Sequence, residues 1–212
     1  TWFTYYDVGV KVDYKNFHGN DYKVRIYQSC NLKLAAINPQ KKSIISNWIY
    51  QKFYINKATG KKITLTNEAS NNYPGDGAFT LVNGVQNEKG LARSREFLGF
   101  NGTDCEAIID LGKTTTVSNV IIHSIHQKGS WIWRPQTLEV FSSTDGINFS
   151  LLGLADDFLN TTKDGNGTMT VSFNAIETKF IKVKIANWGE IPNGEPGAGN
   201  KPWLFVDEIE IK

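Results

Sequence analysis

The sequence predicts an all-β protein of two small domains in tandem, the second a jelly-roll β-sandwich. Short runs rich in Val, Ile, Thr and aromatics alternate with a period of two rather than 3.6, and Gly, Asn and Asp turns punctuate them. The 212 residues suit two small domains at the usual size of about 100–150 residues each. Hydrophobic residues make up 40% and charged residues 21%, enough apolar surface for a soluble globular core. The formal net charge is only +2 and no Lys/Arg block could neutralise successive phosphates, which excludes nucleic acid as a partner. No apolar run approaches the roughly 18–20 residues needed to cross a bilayer, and no charged-then-apolar signal segment opens the chain, so no membrane insertion is expected. The start at Thr1-Trp2 without Met is that of an excised fragment or a mature product.

In the first domain (residues 1–57) strands are expected at Tyr22–Gln28, Asn31–Ile37 and Asn47–Ile55, joined by the turn-prone Ser29-Cys30 and Asn38-Pro39-Gln40. The basic stretch Lys57-Ala58-Thr59-Gly60-Lys61-Lys62 is the junction. From Ile63 the second domain (residues 58–212) carries longer strands: Ala107–Asp110, Val117–His126, Gln136–Ser142, Asn148–Ala155, Gly167–Phe173, Lys179–Ala186 and Leu204–Ile211, a jelly roll's complement. Asp145-Gly146 between Val140 and Phe149 reads as a tight hairpin turn, because Gly supplies the positive φ that such a turn demands. Cys30 and Cys105 are read either as a single bridge or, more simply, as two buried small hydrophobes.

The ordered pieces Ala107-Ile-Ile-Asp110-Leu111-Gly112, Val117–Ile122, Leu138–Phe149, Phe180–Lys184 and Asp207–Ile211 resemble the discoidin, or coagulation-factor type C (F5/8 type C), domain over about 150 residues. That resemblance implies a galactose-binding-like jelly roll. Upstream, Phe3–Asp7, Leu34-Ala35-Ala36 and Ser46–Tyr50 are similar to the small immunoglobulin-like β-sandwich that follows the catalytic barrel in chitobiase-like bacterial β-N-acetylhexosaminidases. Val-Gly-Val-Lys after Asp7 departs from the Asp-Gly-Ser-Glu-Pro-like turn of that family. The resemblance extends to Ile55–Thr66, Tyr73–Gly84, Ser130–Pro135 and Lys201–Ile211. It implies that the parent is such a glycosidase and this chain its tail.

Chemistry of its own is not expected. Glycoside hydrolysis needs two carboxyl groups facing one sugar, or one with a substrate acetamido group. Asp207-Glu208 is the tempting pair, yet successive strand residues point to opposite faces. No nucleophile elbow, zinc helix or phosphate loop is present. His123 and His126, three apart, lack companions for a metal shell and read as one packed and one exposed.

Sugar recognition combines an aromatic plate against the ring's C–H face with amides, carboxylates or guanidinium groups on its hydroxyls. Trp131 and Trp133, with His126 and Arg134 beside them, supply one such loop. Trp188 and Trp203 flank the Gly189–Pro202 loop, which carries Glu190, Asn193, Glu195 and Asn200. The candidate carbohydrate-binding residues are therefore Trp131, Trp133, Trp203, His126, Arg134, Glu190 and Asn200, provided that the two loops meet. Against this stands the alternative that the tryptophans plug the end of the sandwich, Trp131 and Trp133 sharing a face at period two.

The discoidin resemblance also implies a structural Ca²⁺ between the terminal strands. Its oxygen ligands would fall at Asn83, Asn87 and Glu208, with Thr80 as a further oxygen. Asn83 replaces the family's Asp, which weakens such a site by one charge; alternatively Asn83-Gly84 is simply a tight turn.

The leading expectation is thus a non-catalytic module that holds a parent hydrolase on glycan of galactose or N-acetylhexosamine type. It would act in a secreted, periplasmic or bacterial cell-surface setting. A purely structural spacer packed on the catalytic domain is the alternative. Protein or phospholipid recognition ranks last, because the loops lack clustered aliphatics with flanking Lys or Arg.

Overall fold

Two compact units, Thr1–Ile55 and Asn56–Lys212, divide the computed structural model, in which residues 2–5, 10–11, 25–38, 40–41, 43–160 and 164–212 are described. The first unit contains β1 (Trp2–Tyr5), β2 (Val10–Lys11), β3 (Arg25–Ile26), β4 (Cys30–Asn38), β5 (Ser43–Ile44) and β6 (Ile49–Phe53). Strand β4 is its centre, antiparallel to β1, β5 and β6, and β2 pairs with β3. Cys30 and Leu32, two apart on β4, are both buried, as the side-chain alternation of a strand requires. Of the expected strand Tyr22–Gln28, residues 22–24 lie outside the described residues, as does Pro39 of the expected turn.

The second unit holds β7 (Lys62–Leu65), β8 (Gly75–Ala78), β9 (Leu98–Asn101), β10 (Cys105–His126), β11 (Leu138–Ser143), β12 (Ser150–Ala155), β13 (Leu159–Asn160), β14 (Gly165–Ile185) and β15 (Trp203–Ile211). Its sheet runs β12-β11-β14-β10-β15-β9, with β7 on β10 and β13 on β14. The long strands β10 and β14 belong to two leaves at once. Residues Ala107–Asp110 of β10 pair with β7 and residues 120–124 with β15, while β14 gives its C-terminal half to β11 and its N-terminal end to β13. Register shifts between Asp110 and Thr115 and between Val117 and Asn119 mark where β10 bends from one leaf to the other.

That bend corrects the expectation of four separate strands here. Gly112, with φ +83°, has the look of a turn in the sequence, yet it sits inside a continuous strand. Every second residue faces the shared core: Cys105, Ala107, Ile109 and Leu111 from one leaf, Val120 and Ile122 from the other, against Met169, Val171, Ile181, Val183, Ile209 and Ile211. The result is an antiparallel β-sandwich, as the period of two predicts.

The Asp145-Gly146 hairpin joins β11 to β12, but through the six residues 144–149 rather than a tight turn. Asp145 explains the longer loop: Oδ1 accepts the N–H groups of Ile147 (2.8 Å) and Asn148 (2.9 Å), and Oδ2 accepts the Asn148 side-chain amide (2.8 Å). These donors hold its carboxyl far below the usual range. Both cysteines are buried and no disulfide joins them; burial pushes the Cys105 thiol far up, so it is an inert hydrophobe.

Candidate glycan-binding face

Strand β10 ends at His126, and the chain doubles back at once. Gln127 and Ile132 exchange backbone hydrogen bonds of 2.8 and 3.2 Å around the turn Lys128–Ser130. Trp131 closes that turn in the left-handed region (φ 60°, ψ 22°), the sole non-glycine with positive φ among the described residues. Such a conformation costs a residue with a Cβ about 1–2 kcal/mol, a strain that recurs where a side chain must be aimed. Trp131 is 40% exposed.

The second loop meets the first. Trp203 N donates to Trp131 O (2.8 Å) and Trp133 N to Trp203 O (2.9 Å), so the Trp131–Trp133 segment forms a short ladder with the start of β15. The Trp131 indole lies over Gly197, where a Cβ would stand 2.5 Å from its ring nitrogen. With φ +85° as well, Gly197 has two reasons to be glycine. Lys128 forms an ion pair with Glu195 and stands 5.1 Å over the Trp133 ring. The Trp188 indole donates to Arg134 O (2.9 Å), and the Arg134 guanidinium covers the Trp188 ring at 5.3 Å.

The expected convergence of the two loops is therefore present, but the tryptophans differ in exposure. Trp133 is 5% exposed, packed against Trp188 and edge-on to His126, and cannot offer a face to a ligand. Trp203 is half-buried in an aromatic cluster with Tyr73 and Phe205. For these two the plug reading describes the packing; Trp131 alone of the three candidates is an exposed plate. His126 is also buried. Its Nδ1 accepts the Arg134 backbone N–H (3.0 Å), and burial lowers its pKa, with Lys128 and Arg134 adding to the effect and Asp164 and Glu195 opposing it. It orders the loop as a neutral ring.

Glu190 and Asn200 are exposed; the Asn200 amide nitrogen donates to Gly197 O (3.0 Å), leaving its carbonyl oxygen for a ligand. Asn187, absent from the sequence reading, anchors the loop's base. Its N–H donates to Asp104 Oδ1 (2.9 Å) and its side-chain amide to Pro202 O (3.2 Å). Its Oδ1 accepts the Gly189 N–H (3.0 Å), a local turn bond that Asn-Trp-Gly could have signalled, whereas its other partners lie 83 and 15 residues away.

A separate open cleft of about 400 Å³ is lined by Asn87, His123, Leu159, Asn166, Thr168 and Asp207, among others. Asp207 Oδ2 accepts the Asn87 N–H (2.6 Å), and His123 Nε2 lies 2.8 Å from Glu210 Oε1. His123 is thus half-buried and paired rather than free, and Asp207 and Glu208 serve different partners, so they form no catalytic dyad.

The oxygens expected to hold calcium do not fit a cation as they are arranged. Glu208 Oε1 accepts the Asn56 amide (3.2 Å) and Oε2 the Gly84 N–H (3.1 Å); Asn83 Oδ1 accepts the Val85 N–H (2.7 Å). Asn87 is turned away into the cleft, its Oδ1 taking the Lys89 N–H and the Asn166 amide. Thr80 Oγ1 accepts the Asp76 N–H. Among the described residues no three His, Cys, Asp or Glu side chains gather as a ligand set.

Burial raises Asp207 to about 7 and Glu208 to about 9, whereas the His123 hydrogen bond, with Lys212, holds Glu210 at about 2. The first two bind protons more tightly folded than unfolded. Their contribution is therefore full in acid and is lost as pH rises, up to about 7 for Asp207 and about 9 for Glu208. Glu210 acts oppositely, contributing above its ordinary 4.5 and losing that contribution toward about 2. Urea titrations across pH should show stability declining from weakly acid to alkaline solution, and Asp207→Asn should flatten the decline up to about pH 7. An unchanged slope in that variant would remove Asp207 as its source.

A model of the F5/8 type C domain matches residues 62–195. Among solved structures, a Ruminococcus gnavus GH29 fucosidase in complex with fucose is 15% identical with a TM-score of 0.46, the match covering 74% of this chain and 26% of that one. CpGH89CBM32-5 from Clostridium perfringens, in complex with GalNAc-β-1,3-galactose, is 14% identical (TM-score 0.45; 71% and 93% covered). Chitosan-binding module 1 from a chitosanase/glucanase of Paenibacillus sp. IK-5 is 15% identical (TM-score 0.44; 75% and 99% covered). No curated protein matches the chain.

Proposed function

The chain belongs to the F5/8 type C domain family, and from that premise we propose that it is a non-catalytic carbohydrate-binding region that holds a parent glycoside hydrolase on glycan. The observation that carries this reading is Trp131, an exposed indole fixed in a strained backbone over Gly197, with the Asn200 carbonyl and Glu190 exposed on the loop that Gly197 belongs to. An aromatic plate takes the apolar C–H face of a pyranose while amide and carboxylate groups take its hydroxyls. A single plate of this kind supports affinities around the millimolar level, about −4 kcal/mol. Tethering to a hydrolase makes such weak binding effective by keeping the active site at high local concentration of its polymer.

The ligand class is galactose or an N-acetylhexosamine, and the parent a β-N-acetylhexosaminidase-like enzyme whose immunoglobulin-like domain is the Thr1–Ile55 unit. Support for the parent is the run of hexosaminidase-like segments from Ile55 to Ile211. Support for a non-catalytic role is that Asp207 and Glu208, the adjacent carboxyl pair, are buried and separately engaged. A glycan anchor works where polymeric glycan is, which places the chain in a secreted, periplasmic or cell-surface setting. Among the described residues no helix is long and apolar enough to cross a membrane. The spacer reading draws on the burial of Trp133 and the packing of Trp203.

Calorimetric titration of the chain with galactose, N-acetylgalactosamine and N-acetylglucosamine tests the proposal. Saturable heat with at least one sugar is expected, without turnover of an aryl N-acetylglucosaminide. Silence toward all three and toward a broad glycan array would leave the spacer.

A further inference from the structure

Glu208 is fully buried on the last strand, and a buried carboxyl must find donors or a cation. Asn56, the first residue of the second unit, supplies one. Its Nδ2 donates to Glu208 Oε1 at 3.2 Å, while its Oδ1 accepts the N–H groups of Ala58 (2.8 Å) and Ile211 (3.2 Å). Lys57 N adds a bond to Ile211 O (3.1 Å). From the opposite side the Gly84 N–H takes Glu208 Oε2, and Gly60 N reaches Val82 O (2.8 Å). The Asn56 amide ties the first turn of the sandwich to the terminal strand, the Glu208 carboxyl ties that strand to the loop after Val82, and both carboxyl oxygens of Glu208 accept N–H groups.

We infer that the sandwich closes its first and last segments without a divalent cation, the Asn56 amide serving Glu208 where an oxygen-bound metal would otherwise be required. A hard cation needs several converging oxygens, preferably charged. Here Glu208 is the one carboxyl among the candidate oxygens, N–H hydrogens point at it from two sides, and Asn83 and Asn87 spend their carbonyls on local turns.

Thermal unfolding of the wild-type chain in excess EDTA and in millimolar CaCl₂ tests this without any variant. The same Tm in both buffers is expected; a rise of several degrees with calcium would overturn the inference. Asn56→Ala should lower Tm by about 5 °C, the scale of a lost buried hydrogen bond in a domain of this size, and by the same amount in both buffers. An Asn56→Ala protein as stable as wild type would overturn the role of the amide. The readout is stability in the absence of sugar, so its outcome is independent of glycan binding.

Discussion

Phe205→Ala is expected to cost the second unit about 3–5 kcal/mol, the range for emptying a buried aromatic site. The Phe205 ring is 1% exposed and stands 4.7 Å from Tyr73, 5.6 Å from Phe97 and 5.9 Å from Trp203, ring centre to ring centre. It also lies on Gly99, where a Cβ would come within 2.8 Å of it, so β9 and β15 are in close contact through this one side chain. The backbone there cannot collapse into the void without breaking the Trp203–Asn101 to Val206–Leu98 ladder, which argues for the upper part of the range. At roughly 2–4 °C per kcal/mol for a domain of this size, Tm should fall by about 10 °C or more. Chemical denaturation should show a lower midpoint with unchanged slope. A loss under about 1 kcal/mol would mean that the aromatic cluster is not a packed core.

Trp131→Ala should do the reverse, weakening glycan binding at least tenfold, about 1.4 kcal/mol, while lowering Tm much less than Phe205→Ala. The indole is 40% exposed and rests on Gly197 rather than in a core cluster, so less packing is lost than in Phe205→Ala. Trp131→Gly should weaken binding equally and be more stable than Trp131→Ala by up to about 1 kcal/mol through relief of the positive φ. Gly197→Ala keeps the indole but drives a methyl into it, and should weaken binding with Trp131 still present. Titration calorimetry with melting curves separates the two effects. Undiminished affinity in Trp131→Ala would move the binding site elsewhere.

Both effects depend on features that differ in how far the sequence displays them. The sandwich was legible because the inward residues of β10 and β14 repeat at two, a pattern that survives without knowledge of partners. The bends inside those strands were not: Gly112 signals a turn locally, and only the neighbouring strands keep it in the sheet. Strands β8 (Gly-Asp-Gly-Ala) and β13 (two residues) carry no β-forming signal of their own. The six-residue loop at Asp145 was hidden because its length is set by side-chain hydrogen bonds, not by the Asp-Gly pair.

At the candidate site the sequence marked by composition two loops that meet in the structure, yet it could not rank their tryptophans. Trp131 and Trp133 share a period-two face on paper, but the left-handed residue at 131 turns the first outward while the second packs under Lys128 and against Trp188. Asn56 was equally invisible, since its acceptor lies 152 residues away. The calcium expectation follows from family positions, and the Glu208 and Asn83 side-chain oxygens at those positions accept N–H groups.

The most direct measurement is the set of tryptophan indole N–H resonances followed during titration with the sugar that binds. Trp131 should shift progressively and saturably, with Gly197 and Asn200 amides moving alongside and Thr168 and His123 of the cleft still. Shifts confined to the cleft, or a saturating ligand that leaves the Trp131 indole unmoved, would contradict a glycan site built on that side chain.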